Sequence, residues 1–600
     1  DSKENLDKTV CNTELCKKIV DPCEDFYAYS CGGWSESHPR PANALQWGTS
    51  VLMDAKNKEK LADLLEEEDD YHSSAVRMAK DYYAACSNLE LRDKYAITSL
   101  KRVLENAGGM PLITKHWIEN DFNWVDSYIY SDTQLNSVQS FFEYTIDGEE
   151  KIIKIRSPKT TFIDNNWLAG GTEEPADKVA EDKEKIKEKV KFLKSKLTSE
   201  QMNKEIIDVI KFEQQLLILA TKKADDQNNT MKTTIGDLEK EFPYDEQERV
   251  GLTPDLRINC ATSTDKMFRL ALDFLYYKKY LSGKAYSDIK SFVKQLKDSL
   301  TLTIQHAKWM DDKTKLEAQK KLNHMAKYIA AAPFARNVKS LDEIYDEVVY
   351  ISREDFAHDY LKLAPLHKKY HLQVLKEGED VDSAKASTIN AFYAPNLNKI
   401  ALLIGVLQPP LYYVGGPPAV NFGGLGFVAG HEITHGFDST GSQYDYKGEK
   451  VNWWDRESRL IYENKTQCFI EQYSSQIDPR IGKAKDGRKT IGDDVADNGG
   501  IQLAYKAYKE YAGVHAPESD LRLPNEMKNF TKDQIFFIAA SQFFCSNDHL
   551  FAVKYLYAND EHSPQFARIN VPMSNFPVFA ETWNCTEGSR MNPKHRCSLW

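Results

Sequence analysis

Residues His431, Glu432 and His435 form a His-Glu-x-x-His motif. On a helix, the two histidines lie one turn apart on the same face, so both imidazoles can bind one metal ion. Glu432 lies between them, where its carboxylate can hold the water that the metal activates. Zinc suits such a site because it accepts nitrogen and oxygen ligands and leaves a fourth position open. The motif therefore predicts a zinc centre that carries out hydrolysis.

The residues around the motif favour a buried helix over a helix that merely contains two histidines. The preceding run from Phe427 to Gly430 is small and apolar, and Gly436 follows the second histidine. Asp438 offers an acceptor for an imidazole N–H.

A catalytic zinc of this type needs a third protein ligand. A metzincin would need glycine and histidine where this chain has Asp438 and Gly441. Asp455 has a thermolysin-like spacing but lacks an acidic partner four residues later. Asp493 and Asp497 are better candidates, since they again have the i, i+4 spacing on a predicted helix. One carboxylate would bind the metal and the other would orient a histidine.

Composition limits the class of protein. The chain has 600 residues, a net charge of −12, 41% hydrophobic residues and 28% charged residues, which is ordinary for a globular protein. Its length predicts two or more domains. The negative charge argues against nucleic acid as a partner. No stretch approaches the roughly 20 apolar residues of a membrane span, so we expect membrane attachment only through an N-terminal anchor absent from this chain.

The ten cysteines cluster at the two ends of the chain. An even, clustered set favours disulfides in an oxidising compartment, and the alternative is reduced thiols in the cytosol. Four glycosylation sequons support export: Asn228, Asn464, Asn529 and Asn584.

The pattern of elements predicts a mostly α fold with a smaller β part. Residues from about 56 to 280 have mainly helical patterns, interrupted by a hairpin around Asp147-Gly148. After about residue 332, short apolar runs and Gly/Pro clusters appear, and Asn390–Tyr393 and Lys399–Ile404 are predicted strands. We place a domain boundary there.

The chain resembles the neprilysin and endothelin-converting enzyme family of zinc metallopeptidases. The matching motifs follow one another along nearly the whole chain: Cys23–Tyr27, Cys31–Trp34, Asn390–Tyr393, Leu407–Pro410, Gly430–Asp438, Ala496–Gly500, His562–Pro564 with Arg568, and Cys597–Trp600. The resemblance implies a zinc endopeptidase that cuts short extracellular peptides on the amino side of hydrophobic residues. It also implies a secreted protein or the ectodomain of a single-pass type II membrane protein.

The implied fold is a thermolysin-like catalytic domain (residues 333–600) and a larger helical domain (residues 46–332) that enclose a central cavity. A disulfide-tied segment, residues 1–45, would pack on the catalytic domain. The cavity would admit peptides and exclude folded proteins.

The resemblance also implies roles at the metal. The ligands of one Zn²⁺ ion would be His431, His435 and Asp493, with Glu432 as the general base. Asp497 would steady His431, and Asp438 would steady His435.

Further residues would act on the substrate. His562 would donate a hydrogen bond to the oxyanion of the tetrahedral intermediate. Asn390 and Ala391 would hold the substrate backbone as an added strand. Arg568 would hold the substrate's carbonyl side, and Val428 would line a pocket for the hydrophobic side chain.

The five disulfides that the resemblance implies use every cysteine: Cys11–Cys16, Cys23–Cys585, Cys31–Cys545, Cys86–Cys260 and Cys468–Cys597.

One position departs from the family pattern. The third ligand of the family is Glu, and Asp493 is shorter by one methylene, which draws its carboxylate back from the metal. Asp494 points about 100° away around the helix and cannot replace it. An alternative is therefore a catalytically weak or silent member that serves as a peptide-binding ectodomain.

Overall fold

Helices predominate in the chain. The computed structural model describes residues 20–42, 44–110, 118, 122–134, 143–147, 152–156, 183–184, 186–188, 190–191, 197–224, 255–281, 283–331, 334–348, 350–377, 388–515 and 525–600. Within these residues strands are few and short, which confirms the predicted mostly α fold with a smaller β part. Cys11, Cys16 and Asn228 lie outside the described residues.

The α-helices, numbered in chain order, are α1 Phe26–Cys31, α2 Trp34–Ser37, α3 Thr49–Glu66, α4 Ser74–Ser87, α5 Leu89–Asn106, α6 Trp124–Gln134, α7 Ser199–Ala224, α8 Leu256–Met267, α9 Arg269–Tyr276, α10 Lys284–His306, α11 Asp312–His324, α12 Val338–Ile344, α13 Phe356–Glu377, α14 Pro418–Gly423, α15 Leu425–His435, α16 Arg456–Ser474, α17 Gly487–His515, α18 Lys532–Gln542, α19 Leu550–Asn559, α20 Gln565–Ser574 and α21 Pro577–Trp583. Side chains cap several of them: Asp311 begins α11, Asp455 begins α16 and Thr531 begins α18.

The strands are β1 Glu143–Asp147, β2 Ile152–Arg156, β3 Ala326–Ala330, β4 Ala391–Ala394, β5 Lys399–Leu403, β6 Ile477–Asp478 and β7 Lys483–Ala484. β1 and β2 form the predicted antiparallel hairpin. A second sheet has the order β3-β5-β4, in which β5 pairs in parallel with β3 and antiparallel with β4. The predicted strands around Pro395-Asn396 are therefore confirmed, and β4 is an edge strand of the described sheet.

Packing divides the chain into two compact units. The first comprises residues 1–73, 268–341 and 383–600, and the second comprises residues 74–267 and 342–382. Both units are discontinuous in sequence, whereas the domains predicted at 1–45, 46–332 and 333–600 are continuous. Those three domains stay a prediction.

The N-terminal segment belongs to the core of the first unit. Phe26 is fully buried, and its ring centroid lies 4.9 Å from that of Phe579. The backbone N–H of Tyr27 donates to Asn570 Oδ1 at 2.8 Å. Residues 26–31 form α1 and residues 34–37 form α2, and the side chain of Asp25 caps α1.

Disulfides join distant parts of the sequence. The structure contains four of the five implied bonds: Cys23–Cys585, Cys31–Cys545, Cys86–Cys260 and Cys468–Cys597. Their number is typical of proteins from oxidising compartments. None of the described helices has both the length and the apolar composition needed to cross a bilayer.

Candidate metal centre and active site

The His-Glu-x-x-His motif lies on α15, as its spacing predicts. Two of its side chains are buried, since His431 is 7% exposed and Glu432 is 6% exposed, and His435 is partly buried. Helix α15 packs against α17, which carries Asp493 and Asp497. Two pairs of residues, each with helical i, i+4 spacing, therefore face each other across one helix contact.

Glycines allow the two helices to cross closely. A Cβ added to Gly500 would lie 2.6 Å from the backbone nitrogen of His431, and one added to Gly430 would lie 2.7 Å from the carbonyl oxygen of Gly500. A Cβ on Gly499 would lie 2.5 Å from the methyl carbon of Thr434. These contacts leave no room for a side chain, so the Gly499-Gly500 pair brings the acidic residues of α17 to the histidines of α15.

Replacing Gly500 by Ala is expected to destabilise the protein by about 1–3 kcal/mol or more and to lower zinc affinity, because the new methyl group meets rigid backbone. Gly513→Ala is the matched control, since Gly513 lies on the same helix and nothing lies within 4 Å of its added Cβ. The free energy of unfolding of that variant is expected to rise by up to about 1 kcal/mol, because Ala has a higher helix propensity than Gly. Urea unfolding of both variants tests the difference, and equal stability changes would contradict the close crossing.

The predicted ligand atoms converge at one point. His431 Nε2 lies 2.9 Å from His435 Nε2. Asp493 Oδ1 lies 3.5 Å from the first nitrogen and 3.6 Å from the second. Among the described residues, these side chains form the one group of three or more that could hold a metal ion.

The spacing of these atoms fits Zn²⁺. A circle through the three atoms has a radius of about 1.9 Å, which is shorter than zinc–ligand bonds of about 2.0–2.2 Å. One point can therefore lie at bonding distance from all three atoms. Asp493 Oδ1 is one of these three atoms although its side chain is one methylene shorter than that of Glu, and glycines lie where α15 and α17 cross.

Each histidine is oriented by a carboxylate. His431 Nδ1 donates to Asp497 Oδ1 at 2.8 Å, and His435 Nδ1 donates to Asp438 Oδ2 at 2.5 Å. With Nδ1 protonated, each neutral imidazole keeps a lone pair on Nε2. The two lone pairs face each other at 2.9 Å and repel unless a cation or a proton lies between them. The carboxylates therefore select the tautomers that bind a metal.

Arg568 holds Asp497 in place. Its Nε donates to Asp497 Oδ2 at 2.8 Å, and its Nη2 donates to Asp497 Oδ1 at 2.9 Å. Burial raises the pKa of Asp497, but Arg568 and His431 outweigh it and hold that pKa below its usual value. The resemblance assigns Arg568 to the substrate. In the structure it makes a bidentate pair with Asp497 and also lines the pocket beside the motif.

The neighbouring acidic residues have other partners. Asp494 is fully buried and accepts a hydrogen bond from Thr490 at 2.6 Å, and burial raises its pKa well above the usual range. Asp455 caps α16 by accepting from the backbone N–H of Glu457. Neither residue belongs to the group around the histidines.

A cavity of about 90 Å³ borders the metal group. Its polar lining includes Asn390 and Glu432, and burial raises the pKa of Glu432 against the opposing charges of the two histidines. Its apolar lining is formed by Val406, Phe427, Val428, Phe543 and Phe544. Ala391, at the start of edge strand β4, also lines the cavity.

His562 lies at the rim, with its side chain 47% exposed and its Nε2 3.3 Å from Asp493 Oδ1. Its Nδ1 donates to Asp560 at 2.7 Å, which orients the ring so that Nε2 faces the carboxylate of Asp493. Sequence reasoning missed Asp560; the signal was a carboxylate two residues before the histidine.

Sequence reasoning also missed Lys321 on α11, which is 1% exposed and donates to two carbonyls in the loop after α15. The signal was its position in a stripe of buried residues at helical spacing, with Thr314, Ala318 and Leu322.

A helix that presents two histidines and a glutamate to a buried point beside an edge strand is the arrangement of zinc hydrolases that cut peptides. Sequence comparison specifies the family. Profiles of peptidase family M13 match residues 22–250, 244–333 and 390–599, so the chain belongs to this family. It is a zinc metalloendopeptidase, which confirms the predicted class of enzyme.

Relatives cover the chain almost completely. It is 25% identical to Neprilysin-1 of Trittame loki over 99% of this chain and 96% of that protein. It is 28% identical to Neprilysin-2 of Caenorhabditis elegans over 97% of this chain and 90% of that protein. The crystal structure of Mycobacterium tuberculosis zinc metalloprotease Zmp1 with an inhibitor has a TM-score of 0.70 at 19% identity, covering 97% of this chain and 98% of that one. The neprilysin-like resemblance is confirmed.

Proposed function

We propose that this peptidase hydrolyses short extracellular peptides on the amino side of hydrophobic residues, with one Zn²⁺ ion per chain held by His431, His435 and Asp493. The observation that carries the proposal is the convergence of these three ligand atoms, 2.9 to 3.6 Å apart, beside Glu432 and an apolar pocket.

The chemistry divides between the ion and the side chains. Bound zinc supplies a Lewis acid that polarises the scissile carbonyl and acidifies water. Glu432 takes a proton from the attacking water and passes it to the leaving amine, a role that its raised pKa favours. His562 donates from Nε2 to the oxyanion as it forms, and Asp560 holds the ring in the required orientation.

The substrate binds as an extended strand. The outer side of β4 offers backbone groups to a peptide, with Asn390 and Ala391 at the point where the strand enters the cavity. Arg568 lies deeper in the same cavity and contributes to the substrate's carbonyl side. The apolar wall formed with Val428 and Phe543 favours a hydrophobic side chain after the scissile bond.

The cysteines and the sequons support an extracellular compartment. Four disulfides support an extracellular location, either secreted or as the ectodomain of a type II membrane protein. Asn464, Asn529 and Asn584 are exposed, as glycosylation requires.

The test is hydrolysis of two quenched fluorescent peptides that differ only in Phe or Asp after the intended cleavage site. We expect cleavage on the amino side of Phe, and kcat/KM lower by at least about tenfold for the Asp peptide. A chelator is expected to abolish cleavage and added Zn²⁺ to restore it. Mass spectrometry of the products locates the cut, and cleavage that survives the chelator would contradict the proposal.

Asp493→Glu separates this proposal from the alternative of a peptide-binding ectodomain. Wild-type protein that binds the peptide without cutting it, together with a variant that cuts, would support the alternative. Cleavage by the wild type at a rate equal to or above that of the variant would show that Asp493 serves as the ligand without loss.

A further inference from the structure

A buried lysine lies behind the metal group. Lys321 is 1% exposed, and its Nζ donates to the carbonyl oxygen of Gly441 at 2.5 Å and of Tyr444 at 2.7 Å. The rings of Tyr393 and Phe437 each have their centroid 5.8 Å from Nζ. Burial lowers the pKa of Lys321 to about 7, against the opposing charges of Asp438 and Asp445.

The carbonyls that Lys321 holds belong to the loop that carries Asp438. The backbone N–H groups of Thr440 and Gly441 donate to Asp438 Oδ1 at 2.8 and 2.6 Å. The other carboxylate oxygen, Oδ2, accepts from His435 Nδ1 at 2.5 Å. A continuous series of hydrogen bonds therefore connects the lysine to the imidazole. It runs from the ammonium of Lys321 through the backbone of Gly441 and the carboxylate of Asp438 to the ring of His435.

The loop has little freedom to shift. A Cβ added to Gly441 would lie 1.9 Å from the carbonyl oxygen of His435, so the turn packs directly on the end of α15. Asn398 ties the lysine's own backbone to the same region, because its Nδ2 donates to the carbonyls of Lys321 at 2.9 Å and Tyr446 at 3.1 Å.

We infer that Lys321 is a positioning residue of the metal site, which fixes the loop of residues 438–444 and through it the Asp438 carboxylate that orients His435. The inference rests on the proposed function, because it takes His435 as a ligand. Loss of the ammonium removes a donor from both carbonyls and leaves the Gly441 carbonyl with the backbone N–H of Tyr444, so the loop rearranges and His435 loses its fixed orientation.

The experiment measures the zinc dissociation constant of the full chain by competition with a chelating dye, beside urea unfolding of the metal-free protein. Lys321→Met keeps the length and volume of the side chain and removes the donor. Its zinc affinity is expected to fall by about tenfold or more. Lys321→Gln has a side chain too short to reach both carbonyls, so its zinc affinity is expected to fall by a smaller factor. It replaces Lys321→Met as the test variant if the methionine variant does not fold.

Two comparisons distinguish positioning from general destabilisation. Leu322→Ala removes a fully buried neighbour on the same helix and lowers the urea midpoint of unfolding, but its zinc affinity is expected to stay within about twofold of wild type. In an Asp438→Asn background, Lys321→Met is expected to add almost nothing, because the contact it acts through is already altered.

Unchanged zinc affinity in folded Lys321→Met protein would overturn the inference, and so would a full additional loss in the Asp438→Asn background. Wild-type protein without zinc affinity, or a His435→Ala variant that binds zinc as well as wild type, would instead overturn the proposed ligand set. The two failures are therefore distinguishable.

Discussion

Glu432→Gln is expected to lower kcat by about 10²- to 10⁴-fold while the protein keeps its zinc. The amide has the size of the carboxylate but cannot take a proton from water. Glu432 does not belong to the group of converging ligand atoms, so the metal site should stay intact. Zinc content, kcat and KM measured on the same preparation test this expectation, and KM should change little.

Asp494→Asn is the matched control for this substitution. It makes the same change from carboxyl to amide at another fully buried residue, one position after the proposed ligand. Burial raises the pKa of Asp494 well above its usual value, which favours a neutral carboxyl, and the amide is therefore expected to leave kcat nearly unchanged. An equal loss of kcat in both variants would mean that Glu432 acts through the structure and has no role as a base.

The local parts of the site were predictable because helical spacing is a local property. The motif at residues 431–435 fixes two imidazoles on one face of α15, and Asp493 and Asp497 repeat that spacing on α17. The approach of the two helices could not be predicted in this way, because residues about sixty positions apart meet only through tertiary packing. Gly499 and Gly500 permit that approach, and nothing in their own sequence identifies α15 as the partner.

Spacing also left open which acidic residue binds the metal. The length of Asp493 argues for a weak ligand on a helix at the usual distance. The structure places its Oδ1 within 3.6 Å of both nitrogens, on a helix that crosses α15 closely. Side-chain length predicts ligand strength only when the position of the backbone is known.

Buried charges were the hardest part to predict. The resemblance gives Arg568 as a substrate contact, yet in the structure it makes two partly buried bonds to Asp497. Sequence reasoning did not single out Lys321, although it occupies the buried stripe of α11. A charged residue at a helix position that the pattern predicts to be buried indicates a specific partner, since burying a charge without a partner is costly.

The Asp497–Arg568 pair yields the second large prediction. Asp497→Ala is expected to destabilise the protein by about 3–5 kcal/mol, because it leaves the guanidinium of Arg568 buried without its bidentate partner. The same variant is expected to weaken zinc binding by about 10- to 100-fold, because His431 Nδ1 loses its acceptor. Urea unfolding and the chelator competition measure the two effects separately.

The double variant Asp497→Ala/Arg568→Met separates these two roles of one carboxylate. Removing both charges relieves the unpaired cation, so part of the lost stability is expected to return. Zinc affinity is expected to stay low, because nothing in the double variant replaces the acceptor of His431 Nδ1. Recovery of both quantities would mean that Asp497 affects zinc only through Arg568. Recovery of stability alone would mean that Arg568 is the counter-ion of a carboxylate whose function is to orient a ligand.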